Sequence, residues 1–323
     1  MIIPDQAVMA LMKFGYTERE SQFLYVVATF SGNFLRRHFT EFIGNACHGR
    51  PEDDFLRKAI NNGHVCEISF RRGNYRRYHL SSRLVYGAIG KENSSHRKHA
   101  RNTQAILKLR VLDFVLDNFN EDYLEEENGK VNFFTRQKNI SRDLLPSRTY
   151  DSRNGSTHTT RYFVDKFPMF LVELSTGSNP LPVFTYFENE YESTTSFATH
   201  LTWYKPLLDS LSGQYRFIYV ASKMDNFPRA EAQFQVVLSN RHQPPALLSY
   251  FKLRKLWEAN ELGHFSDKEI DSLNEGRKMF SRPEHQELYQ SWLKGQSPNA
   301  KQILTTPTSL DMDGMFETYL LRA

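Results

Sequence analysis

Four arginines, Arg71, Arg72, Arg76 and Arg77, stand around Gly73-Asn74, and Arg36 and Arg37 are adjacent upstream. A guanidinium presents a planar fork of N–H donors that matches phosphate oxygens, so this residue type at this spacing suits recognition of a polyanion. The surrounding charge agrees. From Arg36 to Arg110 there are 16 Lys and Arg against 6 Asp and Glu, a surplus of ten, although the whole chain carries only +4. The rest is therefore net acidic by six. Such a division points to one segment that faces nucleic acid and another that does not; a solvated basic face is the plain alternative. Cys47, His48, His64 and Cys66 are the second set of interest, because two thiolates and two imidazoles can close a tetrahedral zinc site. Their spacing argues against one: Cys47 and His48 are adjacent, and His64 and Cys66 share one strand. No metal site is expected there. The chain has no Gly-rich phosphate loop, no Ser/His/Asp or Cys/His set in a supporting local context, and no internal repeat.

The elements that must position the arginines follow from period and punctuation. Thr17-Glu18-Arg19-Glu20 is a capping box, and the apolar stripe Phe23, Leu24, Val26, Val27 and Phe30 continues it as a helix that ends at Ser31-Gly32-Asn33. A short helix from Leu35 to Ile43 turns Arg36, Arg37 and Glu41 outward. A third runs from Pro51 to Asn62 with Gly63 as its stop, burying Phe55, Leu56, Ala59 and Ile60. Beyond Gly63 the period changes to that of strands, His64–Phe70 and Tyr75–Leu80 around a tight turn at residues 71–74, and Ser81–Gly87 reads as a short helix behind them. Three helices and a basic hairpin in this order are those of a winged helix-turn-helix, whose third helix enters the major groove while the hairpin touches the backbone. Base contacts are expected from Arg50, Arg57 and Asn61. Phosphate contacts are expected from Arg36, Arg37, Lys58 and the wing arginines Arg71, Arg72, Arg76 and Arg77. Asp53 and Asp54, four residues before Arg57 and Lys58, can neutralise those cations, and winged helices also serve as protein-binding modules.

From His96 to Phe119 one helical pattern places Ala105, Leu109, Leu112, Leu116 and Phe119 at heptad spacing, a seam for packing within the chain or for a homodimer. Glu121–Glu127 and Lys130–Thr135 read as strands around the turn Asn128-Gly129, and Pro146–Thr160 as an exposed loop. Strands over Arg161–Leu171 and Val183–Glu190, a helix with Phe197, Leu201, Tyr204, Leu207 and Leu208, a strand over Tyr215–Ala221 and a helix with Ala230, Phe234 and Val237 then follow. Helices at Leu247–Leu256, Asp267–Phe280 and Glu284–Leu293 lead into a polar tail, Gly295–Ser309.

The winged-helix order, the connector helix, an aspartate on one strand, a Phe-Glu-x-acid strand and a Tyr-bearing helix resemble the replication-relaxation family over residues 15–240. That family comprises winged-helix proteins of bacterial plasmids and integrative mobile elements. The resemblance implies double-stranded DNA as partner and a role in replication, mobilisation or transcription regulation. It also implies a second domain of restriction-endonuclease type, in which an Asp on one strand and a Glu-x-Lys on the next hold Mg²⁺. Asp165 and Glu188 match the two acids. Glu190 stands where the Lys belongs, with Lys166, Lys205 and His200 as substitutes. The expectation is a degenerate domain that acts as a scaffold for a protein partner, with a Mg²⁺-dependent nuclease using Asp165, Glu188 and Glu190 as the rival reading.

The fold class expected is thus α+β, in four regions: a winged helix at 1–95, a connector helix at 96–120, an endonuclease-like α/β domain at 121–243, and a helical C-terminal region at 244–323. The 323 residues, 40% hydrophobic and 14% aromatic, can supply real cores. A mean hydropathy of −0.57, without an apolar run near the length of a membrane span, argues for a soluble chain. Two cysteines and an N-terminus without a basic leader region point to the reducing cytoplasm.

Overall fold

The computed structural model describes residues 1–44, 51–69, 76–151, 158–173, 180–189, 195–211, 214–239, 247–258, 266–280, 283–293 and 315–321. The fold is α+β, and the chain forms two compact units, Met1–Glu231 with Met315–Ala323, and Ala232–Gly314. No helix among the described residues is long and apolar enough to cross a membrane.

The first unit begins with helix α1 (Asp5–Met12) and α2 (Glu18–Phe30). The capping box at the start of α2 is present in full: Thr17 Oγ1 accepts from the Glu20 N–H at 3.3 Å, and the Glu20 carboxylate accepts from the Thr17 N–H at 2.7 Å. Strand β1 (Asn33–Phe34), α3 (Arg36–Ile43), α4 (Pro51–Asn61), β2 (Val65–Ser69) and β3 (Arg76–Leu80) follow, with the three strands in the order β1-β3-β2, all antiparallel. Four phenylalanines hold the three helices together. Phe39 of α3 stacks on Phe55 of α4 at 4.2 Å, and Phe23 of α2 meets Phe34, Phe39 and Phe55 edge to face. Helix α5 (Arg83–Ala88) packs against α1, and its Val85 and Tyr86 are buried in the core.

Helix α6 (Asn102–Asp117) lies within the expected connector and contributes to one core. Its Val111, Leu112, Phe114 and Val115 are buried together with Phe23 and Phe55 on one side and Phe170, Val183 and Phe187 on the other. The heptad seam is therefore used inside the chain, where Leu112 is fully buried.

The remaining strands of this unit form a five-stranded sheet in the order β10-β9-β8-β7-β4, made of β4 (Asp122–Tyr123), β7 (Met169–Val172), β8 (Leu181–Phe187), β9 (Arg216–Ala221) and β10 (Phe316–Leu320). Strands β8, β9 and β10 run parallel, while β7 is antiparallel to both neighbours. Alternation along β8 and β9 builds two covered faces. Val183, Phe187, Ile218 and Val220 join the core around α6, whereas Tyr186 and Tyr219 meet Phe197 of α8 (Thr195–Ser210), and Phe184 meets Tyr204. Helix α9 (Phe227–Ser239) follows β9.

Several expectations are corrected. Residues 127–132 form helix α7 (Glu127–Asn132), not a strand pair, so Asn128-Gly129 lies within a helical turn. Burial of Lys130, Val131, Phe133 and Phe134 against the loop at 163–167 and the sheet overrides the local turn preference. The expected loop at 146–160 contains an antiparallel pair, β5 (Ser147–Asp151) and β6 (His158–Tyr162), and the expected strand at 161–171 is broken between β6 and β7 by a turn with Phe163 and Lys166 at positive φ. Asp165 lies in that turn. Strand β10 follows the polar tail and was not expected. In the second unit, α10 (Leu247–Glu258), α11 (Asp267–Met279) and α12 (Pro283–Leu293) enclose a small core of Tyr250, Phe251, Leu273, Phe280 and Tyr289.

Candidate nucleic-acid interface

Phe55, Leu56 and Ala59 fix which way α4 faces, because they fill the core on one side of the helix. Asp54, Arg57, Ile60 and Asn61 are left on the outer side. Ile60 is 37% exposed, so it belongs to this surface and not to the core as its spacing suggested. Around this face Arg36, Arg37, Arg57, Lys58 and Arg76 each have an acidic neighbour. Arg36 donates to Glu52 at 2.7 Å and to Asp53 at 2.9 Å, which holds its guanidinium above the ordinary range, the Glu52 hydrogen bond being the main cause. Lys58 reaches Glu20 at 2.7 Å, Arg76 reaches Glu67 at 2.8 Å, and Arg57 approaches Asp54 at 3.4 Å with both groups 70% exposed. Arg37 bridges Glu41 and Asp113. Exposed pairs of this kind contribute about 0–1 kcal/mol, so a phosphate can displace the carboxylate at low cost. The acids still lower the field of the surface below what the count of arginines suggests.

Arg77 corrects the expected phosphate contacts. It is 1% exposed and donates to the Ala100 carbonyl at 3.3 Å, and burial lowers its pKa. Successive strand residues face opposite ways, so Arg76 and Arg77 lie on different faces of the hairpin. Arg50, Arg71 and Arg72 lie outside the described residues.

A residue absent from the sequence reading orients α3. His38 is fully buried; its Nδ1 accepts from the Leu35 N–H at 3.1 Å, so Nε2 carries the proton and donates to Asp113 at 2.7 Å. This ties the start of α3, and with it Arg36 and Arg37, to α6. Of the cysteine and histidine set, Cys47 and His48 lie outside the described residues, His64 is bonded through Nδ1 to the Tyr16 hydroxyl at 2.8 Å, and Cys66 is exposed beside Ser81.

The expected acids come to one end of the large sheet, since Met169 of β7 pairs with Phe184 of β8 in antiparallel register and β8 ends where the parallel β9 ends. Their oxygens are engaged. Asp165 accepts from the Phe167 N–H at 3.1 Å and from the Tyr204 hydroxyl at 2.6 Å, with His200 Nδ1 3.8 Å away. Burial first, and then Asp165, pushes the Tyr204 hydroxyl well up; burial lowers His200 against the pull of Asp165. Glu188 accepts from the Asn226 side chain, while its backbone is held by Val220 and by Arg110, which also donates to Ser222. Lys166 donates to Ser95 and Lys205 pairs with Asp209, so of the three substitutes only His200 adjoins an expected acid. Glu190 lies outside the described residues. Among the described residues no group of three or more His, Cys, Asp and Glu could hold a metal ion.

In comparisons with known proteins, no family model, no curated protein and no solved structure matches the chain.

Proposed function

We propose that residues 17–88 act as a winged helix-turn-helix that binds double-stranded DNA. The observation that carries this reading is the outer face of α4, which presents Arg57, Ile60 and Asn61 beside a hairpin whose Arg76 is 63% exposed. A helix about 10–12 Å across fits the major groove, where an Arg can read the O6 and N7 of guanine and an Asn the N6 and N7 of adenine. Ile60 between them suits a thymine methyl. Arg36, Arg37, Lys58 and Arg76 then lie where phosphates flank the groove, and Arg50, Arg71 and Arg72 belong to the same connections by sequence. The proposed role, after the resemblance to replication-relaxation proteins, is replication, mobilisation or transcription regulation of a plasmid or mobile element.

The five-stranded sheet is proposed as a scaffold for a protein partner, not a nuclease, because its acids are engaged with Tyr204, Asn226 and backbone donors. A homodimer on a palindromic site remains part of the proposal, through a surface other than the buried α6 seam. Fluorescence anisotropy with duplexes of varied sequence tests the central reading. The Arg57→Ala/Asn61→Ala double variant should lose the preference among duplexes, each contact contributing about 1–3 kcal/mol of discrimination, while retaining weak general binding. Unchanged preference in a folded double variant would remove α4 from the groove.

A further inference from the structure

A cleft of about 770 Å³ opens in the first unit between the segment at residues 90–98 and the turn at 163–168. Lys98, Lys130 and Lys166 line it together with His96. The Lys130 side chain is buried, and its ammonium donates to the Phe167 carbonyl at 3.2 Å; an ammonium has three donors, so it has capacity for a further acceptor. The Lys166 ammonium donates to Ser95 at 2.5 Å across the cleft. Burial lowers the pKa of both; Asp165 pulls Lys130 back up and Lys166 lowers it, while Arg161 lowers Lys166 further. His96 Nδ1 is a buried nitrogen without a hydrogen-bond partner.

The acids near the cleft offset these lysines only in part: Asp165 and Glu127 act on Lys130, and Glu127 on Lys166. Glu125 is held by the Tyr25 hydroxyl at 2.6 Å and by Lys91 at 2.9 Å, and Glu127 by Arg161 at 2.7 Å and the Tyr162 N–H at 2.8 Å. Glu92 and Glu126 remain against three lysines. The backbone supplies a separate indication. Phe163 at φ 49° and Lys166 at φ 62° are non-glycine residues in the left-handed region, within one turn that forms the cleft wall. Such strain gathers where a ligand is clamped.

We propose that this cleft binds a phosphoryl group, with Lys98, Lys130 and Lys166 as its cationic wall. The volume suits a nucleotide, and the same chemistry is offered by one or two phosphates of a nucleic-acid backbone. This site is separate from the α4 surface and does not depend on it.

Isothermal titration of the full chain with sodium pyrophosphate tests the proposal, repeated on Lys98→Gln and Lys166→Gln. The exposed Lys98 provides a variant whose folding is not at risk. Pyrophosphate should bind with a Kd below about 1 mM, and each variant should weaken it by about tenfold, the loss of one charge-assisted contact. Competition by ATP alone would identify a nucleotide site, and competition by a 12-residue single-stranded oligonucleotide would identify a backbone site; both support the phosphoryl assignment. The Arg57→Ala/Asn61→Ala variant should bind pyrophosphate as the unaltered chain does, which separates this inference from the DNA reading. No heat at about 5 mM pyrophosphate, far above the expected Kd, or binding by both lysine variants as tight as that of the unaltered chain, would overturn it.

Discussion

Arg76 and Arg77 are neighbours in sequence and opposites in space. Arg76 is a surface cation with Glu67 beside it, whereas Arg77 is 1% exposed among the residues that link the hairpin to Ala100. A run of basic residues shows total charge, but the two-residue period of a strand divides that charge between its faces. Arg77→Ala should therefore lower stability by about 2–4 kcal/mol in urea unfolding, the range for emptying a large buried site, and leave duplex affinity in the folded protein unchanged. Equal stability with weaker DNA binding would contradict the buried role. A second residue-scale feature is a set of buried histidines: burial lowers His64, His79, His96 and His200, and His96 falls to about 3, helped by Lys108, Lys166 and Lys91. Between pH 6.5 and about 3 the unfolded chain binds a proton at residue 96 that the folded chain refuses, so stability falls as the pH is lowered through this window. From pH 7 to 5 the His96 share is about 2 kcal/mol. Urea midpoints at the two pH values should converge in His96→Asn relative to the unaltered chain; an undiminished difference would exclude His96 as the cause.

At the scale of elements, punctuation was legible where local chemistry alone decides. The Thr17–Glu20 box starts α2, Pro51 starts α4, and Gly63 follows its end. Thr17→Ala should cost about 1 kcal/mol in unfolding free energy. Gly32 has a further constraint: its φ is +70°, and a Cβ there would collide with the His96 carbonyl oxygen. Gly32→Ala should destabilise by about 2–4 kcal/mol, more than a left-handed backbone alone requires, as a shift in thermal midpoint would show. A neutral substitution would mean that the His96 segment moves aside. The failures have a common physical origin. Asn128-Gly129 is a strong hairpin signal, yet Lys130, Val131, Phe133 and Phe134 find burial only with the chain helical through that turn. Strand β10 follows a polar stretch of more than ten residues, and its pairing partner β9 lies far away in sequence, so no local period reports it.

At the scale of the molecule, one core runs from α2 through α6 to the sheet, and the helical module and the acid-bearing sheet are parts of the same compact unit. The charge surplus from Arg36 to Arg110 was legible, and so was the order of helices and hairpin. The pairing of those cations with Glu20, Glu52, Asp53 and Glu67 was not, because acids distant in sequence are brought to them only by folding. The same holds for the acids of the sheet, whose hydrogen bonds to Tyr204 and Asn226 arise from elements that follow them in the chain. Incubation with supercoiled and single-stranded DNA in Mg²⁺ or Mn²⁺ should give no cleavage above that of an Asp165→Ala/Glu188→Ala variant; cleavage abolished in that variant would make these acids catalytic.

Duplex DNA affinity measured against salt tests the central claim most directly. With Arg36, Arg37, Lys58 and Arg76 as the proposed phosphate contacts, a plot of log affinity against log salt should have a slope of about −3 to −4, and Arg36→Ala or Arg76→Ala should each reduce its magnitude by about one. Absence of duplex binding at low salt, or a slope that neither variant changes, would contradict DNA recognition by this surface and leave it as a protein-binding module.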